Sequence, residues 1–205
     1  MARIDQGKEP LHGLNIAILV TDGFEQVELT GPREALEKAG AQTRLISARH
    51  GNVQAFNHVD KGDQFEVDLD FDEADPHDFD AVLLPGGVVN ADQMRLIPKA
   101  QEFVRDMQRD DKPIAVICHG AWLLVSAGLT KGRTLTSWPT LQDDVRNAGG
   151  KWIDKEVVQD GNWISSRKPD DIPAFNDKMI EVMSQKVRAS VRGSPDERPN
   201  VGATS

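Results

Sequence analysis

The chain of 205 residues has one cysteine, no apolar run that approaches the length of a membrane span, and more acidic than basic side chains. A single cysteine cannot form an internal disulfide, which fits a reducing compartment. The net charge of -9 argues against sequence-independent binding of nucleic acid. The first ten residues also lack the apolar segment of a secretory signal. We therefore expect a cytoplasmic protein that binds neither nucleic acid nor a membrane.

Three ligand-binding patterns are also missing. Residues 21–24, which follow the first predicted strand, lack the glycine spacing of a dinucleotide-binding turn. The acidic run at residues 68–80 lacks the ordered spacing of a calcium-binding loop and is typical of a solvated loop. Four histidines lie in polar segments without zinc-ligand spacing, and we expect them at the surface: His12, His50, His58 and His77. We therefore expect no metal and no cofactor.

Short apolar runs alternate with helical patterns along most of the chain. Residues 14–20, 80–84 and 114–117 are typical of buried strands, and residues 98–110 form an amphipathic helical pattern. Alternating apolar residues at 49–68 predict a β-hairpin. Strands that alternate with helices predict one doubly wound, mostly parallel α/β sheet, which binds ligands at the carboxyl ends of its strands.

The same pattern sets the expected limits of the fold. We expect a single domain over residues 14–187, with no internal repeat and no interdomain linker. Residues 1–13 are predicted to be a polar lead-in. Residues 188–205 are rich in Ser, Pro, Gly and charge, which predicts a disordered tail.

The lone cysteine, Cys118, lies between the strand at 114–117 and a helical pattern that opens near Gly120. This corner is typical of a nucleophile elbow, where the positive end of a helix would lower the pKa of the thiol. A free cysteine is also a common core residue, so its position alone leaves both interpretations open. The ring of His119 need not point at Cys118, because adjacent residues leave the backbone in different directions. Its N–H could form part of an oxyanion hole.

Other candidate residues follow the neighbouring strands. Gly86 and Gly87 end the strand at 80–84, where they could make a tight turn or let N–H groups approach a ligand. Glu25 and Glu28 follow the first strand, and a protonated carboxyl there could donate a hydrogen bond to a thiolate. An exposed helix charge is the alternative for each glutamate. Because all these residues follow strands, we expect them to converge with the cysteine.

Four stretches of the chain, in order, resemble the PfpI/ThiJ family of the class I glutamine amidotransferase-like superfamily. They are residues 24–29, 84–87, 115–120 and 165–175, and the resemblance covers residues 14–187. It implies a flavodoxin-like three-layer sandwich with helices on both faces of the sheet. It also implies a homodimer, or a hexamer built from dimers, with a role in stress protection.

The resemblance also assigns roles to single residues. The elbow cysteine of the PfpI branch maps onto Cys118, and the histidine that follows it maps onto His119. The glutamate that hydrogen-bonds the thiol maps onto the pair Glu25 and Glu28, and we favour Glu25 from the Phe-Glu-x-x-Glu-Leu pattern. An acidic residue supplied to the histidine across the dimer interface falls on Asp92.

These correspondences favour a thiolate that attacks an electrophilic carbonyl carbon. The substrate would be a small carbonyl compound such as methylglyoxal, or a glycated protein or peptide. Gly87 and His119 would hold the oxyanion through their N–H groups, while Glu25, and His119 with Asp92, would handle protons. Two alternatives remain open, which are an intracellular cysteine peptidase and a redox-sensing or chaperone-type stress protein without turnover.

Overall fold

The computed structural model describes the backbone of residues 9–193 and the side chains of residues 9–185. In this part of the chain the strands are β1 (Asn15–Leu19), β2 (Phe24–Glu25), β3 (Gln42–Ser47), β4 (Asn52–Asn57), β5 (Asp60–Glu66), β6 (Leu69–Asp70), β7 (Ala81–Leu84), β8 (Ile114–Ile117), β9 (Thr134–Leu135), β10 (Lys151–Trp152), β11 (Val157–Asp160) and β12 (Trp163–Ser166). The α-helices are α1 (Gln26–Lys38), α2 (Val88–Met94), α3 (Pro98–Arg109), α4 (Ala121–Ser126), α5 (Gln142–Asn147) and α6 (Ile172–Gly193). None of these helices combines the length and the apolar composition that crossing a bilayer would require.

Seven strands form the central sheet, in the order β11-β12-β8-β7-β1-β3-β6. Every neighbouring pair is parallel except β11 and β12 at one edge. This topology confirms the predicted α/β fold with a mostly parallel sheet. The strands β8, β7 and β1 are direct neighbours, so their carboxyl ends lie side by side at one edge of the sheet.

The two faces of the sheet are covered by different helices. Ile16 and Ile18 of β1 belong to an apolar cluster with residues of α1 and α6. Ala17 and Leu19 of the same strand belong to a second cluster with residues of α3 and α4. Successive side chains of a strand point to opposite faces, so a strand buried on both faces needs a continuous apolar run. This explains the all-apolar sequence of β8, in which every residue is buried.

A smaller sheet lies beside the central one and consists of β2, β4 and β5. β4 and β5 form an antiparallel pair, which confirms the predicted hairpin. Val53 and Ala55 of β4 are fully buried in the core, whereas Asn52, Gln54 and Phe56 alternate with them and stay at least partly exposed. The hairpin is therefore anchored through one face only.

The limits of the fold differ from the expected ones at both ends. Leu11 lies in the predicted lead-in, yet its side chain is fully buried and its N–H donates to Ala39 O at 2.9 Å. α6 continues to Gly193, six residues past the predicted domain end at 187. Residues 188–193, for which disorder was expected, continue the helical backbone of α6. The rest of that prediction, like residues 1–8, lies outside the described residues.

Candidate active site

Cys118 occupies a strained turn at the carboxyl end of β8. Its φ of +60° lies in the left-handed region, which side chains other than glycine adopt only at a cost of about 1 to 3 kcal/mol. A 3-10 turn, Cys118–Gly120, follows at once and leads into α4. The space around it is tight, since a Cβ atom on Gly120 would lie 2.5 Å from Leu84 O. This geometry is that of the predicted nucleophile elbow.

Glu28 is the carboxyl beside the thiol. Its side chain is fully buried, and its Oε2 accepts the N–H of Gly86 at 2.9 Å. A Cβ atom on Gly86 would lie 2.4 Å from Glu28 Oε2 and 2.7 Å from Cys118 Cβ, so the two side chains meet over this glycine. A hydrogen bond links the carboxyl to the thiol. Apart from the thiol, Glu28 Oε1 has no hydrogen-bond partner among the described residues.

This geometry corrects the preference for Glu25. The Oε2 atom of Glu25 instead accepts the N–H of His58, in the β4–β5 turn, at 3.0 Å. Glu25 lies in β2, before α1 begins, whereas Glu28 lies in the first turn of the helix. Glu28, Pro32 and Leu36 are all buried, at a spacing of four residues. That stripe was the sequence signal for an inward-pointing Glu28, because residues four apart share one face of a helix.

The folded structure raises the pKa values of both Glu28 and Cys118. Burial raises the pKa of Glu28 to about 8, against the lowering effect of its hydrogen bonds with Cys118 and Gly86. Burial, followed by the Glu28 carboxyl, raises the pKa of the Cys118 thiol well above its usual value, although the N–H groups of His119 and Gly87 oppose this. The expected lowering by the helix end is therefore wrong. α4 has only six residues, and it cannot outweigh the loss of water around the sulfur.

The two groups titrate as a unit rather than separately. At neutral pH the unit keeps its protons while the site is at rest, since both pKa values are raised. When the thiol does lose its proton, a protonated Glu28 can donate a hydrogen bond to the thiolate. Two backbone N–H groups, from Gly87 and His119, also point at the sulfur. The protonated carboxyl and the two N–H groups can therefore stabilise the thiolate when it forms during the reaction.

His119 points into the site, which its sequence position left open. Its Nδ1 lies 3.2 Å from Cys118 Sγ. The ring is stacked on Trp138, with centroids 5.7 Å apart, and makes an edge contact with Trp122 at 5.4 Å. Burial lowers the pKa of His119 to about 4, so the imidazole is neutral at pH 7. A neutral ring can accept the thiol proton transiently without holding it at rest.

The two glycines after β7 have different tasks. Gly87 has φ of +87°, and a Cβ atom there would lie 2.4 Å from Gly23 O, so only glycine fits. Its N–H faces the sulfur together with that of His119, which is the arrangement of an oxyanion hole. The N–H of Gly86 is instead used by Glu28. Gly86 therefore positions the carboxyl, and its N–H does not face a ligand, which was one of the two interpretations left open for this glycine.

Asp92 is exposed on α2. Among the described residues no hydrogen bond or ion pair joins it to His119 of the same chain. Its expected role depends on a second copy of the chain and stays a prediction. The helix itself was missed, because seven residues after a glycine turn give too short a pattern to detect.

A cleft of about 260 Å³ lies over the thiol. Cys118 and His119 line it together with Gly23, Glu25, Glu28, Phe56, His58, Val59, Gly87, Val88, Val89, Trp138 and Pro169. Most of this lining is apolar, although Glu25 and Glu28 each bring a carboxyl to it. His58 was expected at the surface; it is exposed, and it also lines the cleft. Trp138 lines the cleft while packing against the core. The hairpin turn and the turn at Trp138 reach the cleft only in the folded chain.

One group of side chains could approach a metal ion. His50, Asp70 and Glu73 each offer one atom, and these atoms lie within 4.8 Å of one another. Their polar atoms already pair internally, with His50 Nε2 at 2.9 Å from Asp70 Oδ2 and Glu73 Oε2 accepting the N–H of Asp70 at 3.2 Å. None of the three lines the cleft over Cys118. The expected absence of a metal stays a prediction.

Comparison with known proteins places these features in a family. A family model described as the DJ-1/PfpI family matches residues 14–182. The deglycase TK1284 of Thermococcus kodakarensis is 43% identical over 170 residues, which cover 83% of this chain and 99% of the relative. The putative cysteine protease YraA of Bacillus subtilis is 36% identical over 168 residues, which cover 82% of this chain and 97% of the relative.

A solved structure gives the same result for the fold. A two-domain protein of Anabaena variabilis, with DJ-1/ThiJ/PfpI-like and ferritin-like domains, is similar with a TM-score of 0.78 and 28% sequence identity. The match covers 93% of this chain and 52% of that one, so this chain spans about half the length of the two-domain protein. The sequence match, the sheet order and the cysteine elbow agree, and the chain belongs to the DJ-1/PfpI family.

Proposed function

We propose that the protein is a cysteine-dependent enzyme that removes electrophilic carbonyl adducts, of the kind formed by methylglyoxal, from proteins or small molecules. One observation carries the proposal. The Cys118 sulfur lies at the base of a small cleft, within reach of a carboxyl that holds its proton at pH 7, a neutral imidazole and two N–H groups. The name of the Thermococcus kodakarensis relative supports the deglycase assignment.

The proposed reaction begins when the thiol proton moves to His119 Nδ1 as the substrate enters. The thiolate attacks the carbon that carries the adducted amine or thiol; a carbon–sulfur bond forms, the bond to the leaving group breaks, and the leaving group takes up a proton. In the hemithioacetal that results, the proton on this carbon shifts to the neighbouring carbonyl carbon and the hydroxyl proton passes to the former carbonyl oxygen, which leaves the thioester of a hydroxy acid. Water then hydrolyses the thioester to a hydroxy acid and restores the thiol.

The residues around the sulfur divide this work between them. The N–H groups of Gly87 and His119 stabilise the negative oxygen that develops in the proton shift and in the hydrolysis. Glu28, protonated below its pKa of about 8, donates a hydrogen bond to the thiolate and can exchange a proton with the substrate. The Trp138 ring lines the cleft and stacks on His119, which limits the access of water to this side of the sulfur.

The first experiment measures release of D- or L-lactate from a methylglyoxal-treated peptide and from free methylglyoxal, with wild type and Cys118→Ala. Each reaction needs a buffer-only control, because these adducts reverse on their own when free aldehyde is removed. We expect lactate above the buffer rate only with wild type. The ratio of the two rates distinguishes a deglycase from a glyoxalase, and equal rates for wild type and Cys118→Ala would exclude the proposal.

A cysteine peptidase is the second candidate, and the name of the Bacillus subtilis relative favours it. The same sulfur and N–H groups would serve acyl transfer. A cleft of about 260 Å³ holds a three-carbon adduct with its attached group more readily than several residues of an extended peptide. Turnover of an unmodified fluorogenic peptide that disappears in Cys118→Ala would favour the peptidase.

The proposed assembly is a homodimer or a hexamer of dimers in the cytoplasm. In such a dimer Asp92 would reach His119 of the second copy. Sedimentation velocity reports the assembly, and Asp92→Asn tests the contact. We expect Asp92→Asn to lower kcat and to leave the oligomer unchanged. An unchanged kcat would show that Asp92 has no role in the site.

A further inference from the structure

A second cavity adjoins the cleft over Cys118. It has a volume of about 400 Å³. Three residues line both cavities, which are Gly23, Phe56 and Val89. A ligand held over the thiol can therefore extend past the Phe56 ring into the second cavity without crossing the protein core.

The wall of this cavity is the polar face of the hairpin. Asn52 and Gln54 of β4 and Gln64 of β5 line it, and their amides form a ladder. Asn52 Nδ2 donates to Gln64 Oε1 at 3.5 Å, and Gln64 Nε2 donates to Gln54 Oε1 at 3.4 Å. The opposite face of β4 is fixed in the core by Val53 and Ala55, so the polar face holds its position.

The charged residues of the cavity leave an excess of positive charge. Arg49, Lys61 and Asp22 line it, which gives two cations and one anion. Asp22 is already satisfied, since Oδ1 accepts the N–H of Gln54 at 2.8 Å and Oδ2 pairs with Arg49. No ion pair involves Lys61 among the residues that the structure describes. A local excess of one positive charge is notable in a chain whose net charge is -9.

We propose that this second cavity binds a carboxylate of the substrate, such as that of an adducted amino acid or of a peptide C-terminus. The proposal rests on the proposed function and deepens it. A guanidinium held in place by Asp22, together with a lysine and the side-chain amides of Asn52 and Gln64, provides the donors that recognise a carboxylate. The Gln54 amide instead donates to backbone carbonyls of the hairpin. The apolar ring of Phe56 lies between the two cavities and would contact the carbon chain that joins the reacting end to the carboxylate.

The test compares two substrates that differ only at the carboxyl group. They are the methylglyoxal adducts of Nα-acetylarginine and of Nα-acetylarginine amide, with free methylglyoxal as the third substrate. Wild type should use the acid about threefold to tenfold better than the amide in kcat/KM, through KM, which is the range of a partly exposed charge-assisted contact. Lys61→Gln and the double variant with Arg49→Gln should reduce this ratio stepwise toward 1.

Lys155→Gln is the matched control, since it removes the same charge from an exposed residue that lines neither cavity. It should keep the wild-type ratio, and all variants should turn over free methylglyoxal at the wild-type rate. A second measurement is independent of turnover: ligand-observed NMR of unmodified Nα-acetylarginine and its amide. The acid should bind more tightly to wild type, and the difference should disappear in the double variant.

The outcomes separate the two proposals. Lactate release that does not depend on Cys118 excludes the proposed function, whatever the binding data show. Cysteine-dependent turnover with equal use of acid and amide, or equal NMR binding of both by wild type, excludes the carboxylate subsite and leaves the proposed function standing.

Discussion

The elbow at Cys118 and the β4–β5 hairpin face the same cleft, but the protein holds them in different ways. β8 is buried on both faces between two parallel neighbours, so the position of the sulfur is set by the centre of the fold. The hairpin is anchored through one face, by Val53, Ala55 and Phe65, and His58 at its turn is exposed. The Cys118 sulfur, which would form the bond to the substrate, is therefore held by the rigid central sheet. The hairpin side chains, which would contact the rest of the substrate, are held by fewer contacts.

The largest expected effect separates the two glutamates. Glu28→Gln keeps the shape of the side chain but removes its exchangeable acid proton, so we expect kcat to fall by about 100-fold or more. Glu25→Gln, on the hairpin side of the cleft, should change kcat by less than about threefold, because its carboxyl pairs with His58 rather than with the thiol. Lactate release under single-turnover conditions measures both. Equal losses would contradict the assignment of Glu28.

The elbow should also control how stability depends on pH. The pKa of Glu28 is raised from 4.5 to about 8, so the folded state keeps a proton that the unfolded state loses. Stability from this group is complete below pH 4.5 and is lost as the pH rises to about 8, by roughly 3 to 5 kcal/mol in total. Urea unfolding between pH 5 and 8 should show this decline in wild type and a flatter profile in Glu28→Gln. If the stabilities of wild type and Glu28→Gln changed with pH in the same way, Glu28 would not be the group whose raised pKa causes the decline.

His119 should act in the opposite direction at lower pH. Its pKa is lowered from 6.5 to about 4, so between these pH values the unfolded state binds a proton at this residue and the folded state does not. Stability from this group is present above pH 6.5 and is lost as the pH falls to about 4, by up to about 3 kcal/mol. His119→Gln should remove this loss, as measured by urea unfolding at pH 4.5 and 6.5. A loss that persists in the variant would mean that other groups cause it.

Two glycines with nearly the same φ, Gly87 and Gly51, test how tightly each region is packed. Gly87→Ala places a Cβ atom 2.4 Å from Gly23 O at a φ of +87°, so we expect a loss of about 2 kcal/mol or more in stability. Gly51→Ala, before the hairpin, has a φ of +86° with no atom within 4 Å, and should cost only about 1 kcal/mol. Thermal unfolding of both variants checks the difference. Equal losses would show that backbone strain, and not the close contact, decides the cost.

The smallest expected effect is that of His58→Ala. The backbone N–H of residue 58 still donates to Glu25 in this variant, so the cleft keeps its form. Only the exposed ring at the cleft mouth is lost, and we expect KM to change by about twofold to threefold with kcat unchanged. Steady-state kinetics with the peptide adduct measures this. A large fall in kcat would instead bring His58 into the proton transfers.

Much of the site could be predicted because it follows from local rules. A continuous apolar run predicted β8, and its junction with a helical pattern predicted the elbow at Cys118. The glycines after β7 were identified for the same reason, since a strand end with two glycines permits a close backbone approach. The choice between Glu25 and Glu28 failed because it was made from the family pattern, which contains both glutamates and does not show which of them lies on the buried face of α1.

The sequence by itself determined the parallel α/β architecture, the single thiol and its place at the end of a buried strand. These follow from apolar periodicity and from the chain order of strands and helices, which are local properties. Only the tertiary structure decided that Glu28 meets the sulfur, that the His119 ring turns inward between Trp122 and Trp138, and that the pKa of the thiol rises. Those outcomes depend on burial by segments distant in the chain, and desolvation is set by the whole surroundings of a group rather than by its neighbours in sequence.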